Sequence, residues 1–584
     1  MSSRLQQRGF RFFVASLGAF LLFASQPPLG LSPLIFVALV PWWYLFQHAS
    51  ESRPLRTIYI TATIGYLASM QGLRHAHPLM ILPATAMAAY LAIYPVLFFF
   101  SWNMWHRSRL RSRWVSTSSD CGSVDPWIAG VIWIGWEWVR NNALTGISVL
   151  MLGHSLADSP YLIQIADLAG TYAVSFVIVS VNAVVLAWMS FRFGSQPRPM
   201  QPWAASVIVA LTLIATLSYG SYRFNQSTTP SDAHVLLVAR NEHTEYQIDP
   251  VRQAEIYNAY ERQTIREAAK HDQIDIVVWP ESMMSGDLVW MTWDGSQTLS
   301  DELKAMQPDL SISMLRENVD SYQAAFETRS ARLQKRLASD KQAGSDRSMS
   351  NVAAPSLIGG CSLLEVGSTT RTFSGMVHVA PSGSVVDVYA KTHLVMFGEY
   401  IPFAKAITFI GDFIPPGLGI DAGVSAGLFQ TDKLTLLPNI CIETAVERIA
   451  VNHLSDHLYG DLGELPDAIV TVTNDAWFNG TAVVDHHLRC AQLLSVATRR
   501  PVLSAANGGP TAWIDSRGVI QASLPHDGQS SILAKPQLDP RISTYVRFGG
   551  LPALIGVCVL IAVVILVSRV LATTRNATHQ DAVQ

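Results

Sequence analysis

Long apolar runs crowd the first 220 residues and then stop, apart from one run near the C-terminus. Those near 10–25, 32–47, 57–73, 82–104, 126–140, 171–190 and 203–220, with an eighth near 550–570, approach the roughly 20 residues that a helix needs to cross a bilayer. From Ala233 the pattern changes. AHVLLVAR, IDIVVWPE, PSLIGGCSL, TFSGMVHVAP, LTLLPNICIE, AIVTVTND, PVLSAANGG and TAWIDSRGVI are short, β-branched runs that read as strands. Residues 251–270 and HHLRCAQLLSVATRR carry helical spacing. Strands alternating with helices predict a layered α/β domain. Residues 285–350 are polar and read as a partly helical insertion over or beside the site. The chain then divides into seven spans over 1–224, a water-facing domain over 225–546, and a last span with a short tail over 547–584.

Charge orients this frame. Arg4, Arg8 and Arg11 precede the first run as they would in a signal peptide, but six further runs follow, so the first reads as a retained span. Basic residues gather at the N-terminus, at Arg53 and Arg56, at Arg107 to Arg113, at Arg192 and Arg198, and in the tail at Arg569 and Arg575. By the positive-inside rule these sides are cytoplasmic, which places residues 225–546 outside the cytoplasm, on the periplasmic face of a bacterial inner membrane. The Glu137–Arg140 pair in WIGWEWVRNN fits an interfacial ion pair at a span end, or a polar site near a lipid headgroup.

Composition narrows the chemistry. Hydrophobic residues at 49% and charged residues at 15% fit spans joined to a globular domain, and a net charge of −3 offers nucleic acid no footing. Five scattered cysteines without a Cys-x-x-Cys pair make no disulfide framework. His486 and His487 are adjacent, which does not suit an i, i+4 ligand pair; with His393 they make no metal motif, and neither metal nor cofactor is expected. Cys361 and Cys490 read as core.

Three segments carry reactive groups: VVWPES with Glu281, YAKTHLVMFGEYIPF with Lys391 and Glu399, and LLPNICIETA with Cys441 and Glu443. Glu281 and Cys441 stand at strand ends, where layered folds expose side chains to a crevice. A free thiol, pKa about 8.5, is barely ionised near neutrality. A nearby ammonium favours the thiolate and a carboxylate can take its proton. Lys391, with a backbone N–H near Cys441, could then hold a tetrahedral oxyanion, and Glu281 could act as general base. Glu399 could instead only hold Lys391 in an ion pair, and Glu443 could cap the following helix.

WPE, then K-x-H-L-x-x-F-G-E-x-x-P, then C-x-E, in that order, resemble the Glu-Lys-Cys set of the nitrilase superfamily. Lys391 to Phe403, NDAWF at Asn474 to Phe478, AANGGPTA at Ala505 to Ala512, and TYVRFGGLP before the last run resemble, more narrowly, the apolipoprotein N-acyltransferases. That resemblance implies an α+β membrane protein, a nitrilase-like α-β-β-α sandwich on a bundle of eight helices. It implies an acyl chain passed from a phospholipid, typically phosphatidylethanolamine, through a cysteine thioester to the N-terminal amine of a diacylglyceryl-cysteine on an apolipoprotein, by a monomer needing no cofactor. On the matching positions Cys441 is the nucleophile, Lys391 the oxyanion partner, Glu281 the base, Glu399 a supporting carboxylate and Glu443 the acidic residue past the nucleophile.

Ile442 departs from the aromatic residue usual there, and Val238, Ala239, Arg240 and Asn241 depart from the family's opening strand. Residues 396–420, apolar and rich in Gly and Pro, are expected to form a mobile flap touching lipid. Trp477 and Phe478 read as packing or as a wall for acyl chains. The competing function is a membrane-tethered amidase acting on small amides with the same triad.

Overall fold

The computed structural model describes residues 2–48, 54–111, 125–193, 202–244, 249–344, 353–396, 398–400, 419–460 and 463–549. The chain separates into two compact units: Met1–Gln226 with Ser543–Gln584, and Ser227–Ile542.

The first unit is helical. Ile81–His106, Thr171–Arg192 and Trp203–Phe224 are long and apolar enough to cross a membrane. Ser2–Ala24, Pro54–Ser69 and Asp125–Asn142 are further continuous helices at expected spans. The run at 32–47 is broken: a 3-10 turn, Ser32–Phe36, precedes a helix of only nine residues, Val40–His48. Pro33 opens that turn and Pro41 enters at the start of the helix, so the backbone bends where the hydropathy pattern runs on. The eighth expected span falls outside the described residues. Gly18 shows how closely the helices approach, since a Cβ there would lie 2.7 Å from the Trp42 ring, whose Nε1 donates to the Ala15 carbonyl at 2.7 Å.

Glu137 and Arg140 each turn to a loop. Glu137 Oε1 accepts from Leu152 N at 3.1 Å, and an Arg140 terminal nitrogen donates to the Ser148 and Val149 carbonyls at 3.3 and 3.0 Å. A buried arginine and a buried glutamate thereby supply hydrogen bonds that loop 148–152 lacks on its own.

The second unit holds two large sheets and a short antiparallel pair, Thr229–Pro230 with Gln537–Leu538. In the first, β1 (Val235–Ala239), β2 (Ile276–Trp279), β3 (Trp290–Trp293), β4 (Ser356–Val366), β5 (Arg371–Val379) and β6 (Val385–Ala390) join a late strand. The second sheet contains β7 (Phe429–Gln430), β8 (Thr435–Ile440), β9 (Ala468–Asn474), β10 (Val502–Asn507), β11 (Thr511–Ile514) and β12 (Ile520–Leu524). The late strand is β13 (Ser530–Ala534), which gives the first sheet the order β13-β1-β2-β4-β5-β6 with β3 beside β4; the second runs β12-β11-β10-β9-β8-β7. β1, β2 and β4 are parallel neighbours, as are β8, β9 and β10, and these central strands are buried on both faces. That is why they read as continuous apolar runs rather than alternating ones.

Alternate residues separate two cores. Val235, Leu237, Ile276 and Val278 face Leu436, Val470, Val472 and Leu503 between the sheets. Leu236, Val238, Val277 and Trp279 face outward onto α1 (Pro250–Ala268) and α2 (Ile312–Gly344) through Tyr257, Tyr260, Phe326, Leu333 and Leu337. On the second sheet, α3 (Arg448–Tyr459) and α4 (Ala482–Thr498) bury Leu454, Leu493 and Leu494. The layers are therefore α-β-β-α. Within the segment 285–350, expected as a partly helical insertion, the long helix α2 forms part of the outer layer, with Phe326 and Leu333 in the core, because the apolar residues of a mostly polar segment share one face.

Candidate active site

Pro280 ends β2 and turns the chain, so that Glu281 leaves the sheet between the two layers. The turn fits tightly over β4: a Cβ on Gly360 would lie 2.4 Å from Glu281 Cα and 2.6 Å from Ser282 N. Ser282 follows in the left-handed region, φ +66°. Glu281 Oε1 accepts from the Ser374 hydroxyl at 3.1 Å and from Lys391 Nζ at 3.5 Å, and Oε2 accepts from Asn474 N at 3.1 Å. Groups from both sheets thus fix one carboxylate.

Lys391 leaves the end of β6 and is 1% exposed. Its backbone N–H donates to Ser374 O at 2.9 Å, while Nζ donates to Glu399 Oε1 at 2.6 Å. Glu399 Oε2 in turn accepts from Val395 N at 2.7 Å. Glu399 is thus the closer carboxylate to the ammonium and Glu281 the farther one.

Cys441 follows β8 at φ +50°, a conformation that costs a side-chain-bearing residue energy and turns the chain sharply off the strand end. Its N–H donates to Val472 O on β9 at 2.9 Å, and its carbonyl accepts from Thr444 N at 3.0 Å and from His487 Nε2 at 2.9 Å.

The charges agree with this placement. Burial pushes the Glu281 carboxyl above its ordinary range; Lys391 opposes this and Glu399 adds to it. For Lys391 burial acts downward, but Glu281 and Glu399 outweigh it and hold the ammonium charged, well above the usual lysine value. Burial, and then the negative charge of Glu281, push the Cys441 thiol up, with Lys391 and the Thr473 hydroxyl acting in favour of the thiolate. Burial thus keeps the Cys441 thiol protonated, and Lys391 acts in favour of the anionic form of both the thiol and the Glu281 carboxyl.

Glu443 lies two residues past the cysteine and is fully buried. It caps no helix. Oε1 accepts from Thr392 N at 2.7 Å, the Thr392 hydroxyl at 2.8 Å, the Tyr389 hydroxyl at 2.9 Å and His393 N at 3.1 Å, while Oε2 accepts from Ile440 N at 2.8 Å. This carboxylate ties the segment around Lys391 to the cysteine turn. The structure thus brings together all five residues singled out from the sequence, and adds Ser374, Asn474, Asp475 and His487.

Ser374 sits inside a strand with no motif around it and carries no sequence signal. Asn474 and Asp475 stand in NDAWF, where the aromatic residues drew attention but the polar ones make the contacts. Asn474 Oδ1 accepts from Asn507 Nδ2 at 2.9 Å and Thr244 at 3.1 Å. Arg240, at one departure from the family pattern, donates to Glu242 at 2.8 Å and Gln263 at 2.7 Å. Among the described residues no cluster of three or more His, Cys, Asp or Glu could hold a metal ion. The expected flap lies mostly outside the described residues; at its edges Gly419 N and Ile420 N donate to Glu399 O at 2.9 and 3.2 Å.

Comparison with known proteins gives a consistent answer. Residues 18–184 match the apolipoprotein N-acyltransferase N-terminal domain, and residues 253–544 match carbon-nitrogen hydrolase. An apolipoprotein N-acyltransferase of Rhodopirellula baltica is 44% identical over 553 residues, covering 93% of this chain and 95% of that one. Another, from Geobacter metallireducens, is 25% identical, covering 92% and 91%. Among solved structures, a CN-hydrolase superfamily protein from Xanthomonas campestris aligns at 16% identity and a TM-score of 0.32, over 54% of this chain and 92% of that one.

Proposed function

The chain belongs to the apolipoprotein N-acyltransferases, and on that premise we propose that Cys441 carries the acyl group while Glu281 and Lys391 move the proton and hold the charge. Glu281 takes the thiol proton as Sγ attacks an ester carbonyl of a phospholipid, phosphatidylethanolamine being the expected donor. The oxyanion is held by Lys391 Nζ and the Ile442 N–H. The C–O bond breaks, Glu281 returns the proton to the leaving alkoxide, and a lysophospholipid departs. The N-terminal amine of a diacylglyceryl-cysteine on an apolipoprotein then attacks the thioester and gives its proton to Glu281. The C–S bond breaks, Glu281 returns the proton to the leaving thiolate, and an amide and a regenerated thiol remain.

The observation that carries this reading is a buried lysine bonded to two glutamates, Glu399 at 2.6 Å and Glu281 at 3.5 Å, whose charge also acts on the positive-φ cysteine. Glu399 supports by neutralising Lys391, and Glu443 by fixing the chain that carries it. The membrane frame completes the proposal: eight spans in all, with residues 225–546 on the periplasmic face of a bacterial inner membrane, where both lipidated substrates are met. Seven of those spans belong to residues 1–224 and the last to residues 547–584, and the enzyme acts as a monomer.

Intact-mass analysis of the purified full chain with phospholipid, wild type beside Cys441→Ser, tests the reading. A fatty-acyl mass on the wild type alone, which passes to a diacylated lipopeptide, is the expected result. No adduct, an adduct on the serine variant at another residue, or free acid with no transfer to the lipopeptide would overturn it; the last outcome would favour the amidase.

A further inference from the structure

His487 stands in the first turns of α4 with its side chain 15% exposed. Nε2 lies 2.9 Å from the Cys441 carbonyl oxygen, and Nδ1 lies 3.5 Å from Asp475 Oδ1. A carbonyl oxygen can only accept, so Nε2 carries a proton and donates it. Asp475 is itself held, its Oδ1 accepting from the Thr473 hydroxyl at 2.9 Å, and it fixes the ring from the other side. The mechanism above assigns no task to either residue.

The bond reaches a backbone group whose direction matters. In a trans peptide the C=O and the following N–H point opposite ways. Whatever fixes the Cys441 carbonyl therefore also fixes the Ile442 N–H. Cys441 sits in a strained conformation, φ +50° and ψ −111°, that the local chain does not hold unaided. Thr444 N donates to the same carbonyl at 3.0 Å from within the turn. From outside the turn, His487 donates to it, anchored in a helix of 17 residues.

We propose that His487, oriented by Asp475, is a positioning residue that clamps the 441–442 peptide so that the Ile442 N–H faces the developing oxyanion. The proposal rests on the reading of Cys441 as the nucleophile. It separates two reactions of one sulfur. Acyl transfer passes through an oxyanion and needs the clamp; alkylation by iodoacetamide is a displacement at a saturated carbon and does not.

The test uses the full chain with His487→Ala and His487→Gln, measuring acyl-adduct formation from phospholipid and Cys441 alkylation by iodoacetamide under the same conditions. A misaligned oxyanion donor costs on the order of 10²-fold, so His487→Ala should lose about that much acylation rate while alkylation hardly changes. Glutamine places an N–H near the position of Nε2 and should recover most of the loss. An unchanged acylation rate in His487→Ala, acylation and alkylation falling together, or no recovery in His487→Gln would each overturn the clamp. A wild type that forms no adduct on Cys441 would instead overturn the reading of the nucleophile, so the two failures are distinguishable.

Discussion

Replacing Glu443 with glutamine exchanges one carboxylate oxygen for an NH2 and tests how the lysine is held. In the native protein Oε1 takes four donors, from Tyr389, Thr392 twice and His393, and Oε2 takes one, from Ile440 N at 2.8 Å. The amide of Glu443→Gln would keep its oxygen towards the four and turn its NH2 towards Ile440 N. Two donors would then face each other, and one buried N–H would lose its partner, at about 1–3 kcal/mol. The other four bonds lose the strengthening that a charged acceptor gives. Relief of the burial penalty of the carboxylate offsets part of this, leaving a net loss on the order of 2–4 kcal/mol. Thr392 and His393 adjoin Lys391, so a displacement of about 1 Å there should slow acylation by roughly 10²-fold. Thermal melting of the full chain followed by tryptophan fluorescence, beside the rate of acyl-adduct formation, checks both effects. Glu443→Ala should be worse on both, because it leaves the backbone N–H groups of Thr392, His393 and Ile440 without an acceptor. Wild-type melting in the glutamine variant, or an alanine variant milder than the glutamine one, would refute the clamp.

Two further outcomes follow from the same geometry. In the proposed reaction Glu281 must be ionised to accept the thiol proton; burial together with Glu399 raises its pKa while Lys391 lowers it. Glu399→Gln removes one raising charge and leaves Lys391 to Glu281 alone, so the acid limb of the acylation pH profile should move to lower pH; an unmoved limb, or one moved to higher pH, counts against the arrangement. Gly360→Ala would place a Cβ 2.4 Å from Glu281 Cα, against backbone that cannot swing aside. It should cost about 1–3 kcal/mol of stability, read as a lower melting temperature, and reduce acylation because Glu281 shifts with its turn; unchanged melting and rate would refute this.

The central strands were legible because they are buried on both faces. IDIVVWPE and AIVTVTND needed only their apolar runs to be read, and they became β2 and β9. β6 escaped because it lies at a sheet edge, where Val386 and Val388 are exposed beside Asp387 and the run VVDVYA gives a weak signal. TAWIDSRGVI was read as one strand and is two, with a turn at Asp515 to Gly518 whose N–H donates back at 3.0 Å. Of the site, the groups bearing charge or sulfur were legible through their order along the chain. Their supports were not. Ser374 and His487 reach the site through strand register and helix placement, which spacing along the chain does not record.

The site's burial and its reactivity are compatible because the proposed first step creates no net charge. In the proposed resting state the cluster holds an ammonium, two carboxylates and a neutral thiol, with Lys391 bonded to both carboxylates. Moving the proton from Sγ to Glu281 turns one carboxylate neutral and makes one thiolate, so the sum of charges is unchanged. Desolvation then opposes the step only by the difference between two buried anions, not by the full cost of making one. Burial alone would leave the thiol unreactive and the carboxyl protonated; Lys391 is what favours the anionic form of each. In the proposed reaction the lysine would serve whichever neighbour is charged at the moment, and would remain nearby when the charge passes to the substrate oxygen. A lysine free to swing could not do this for three partners in turn, which is the physical reason that Glu399 and the Glu443 clamp hold Nζ and its backbone from two sides.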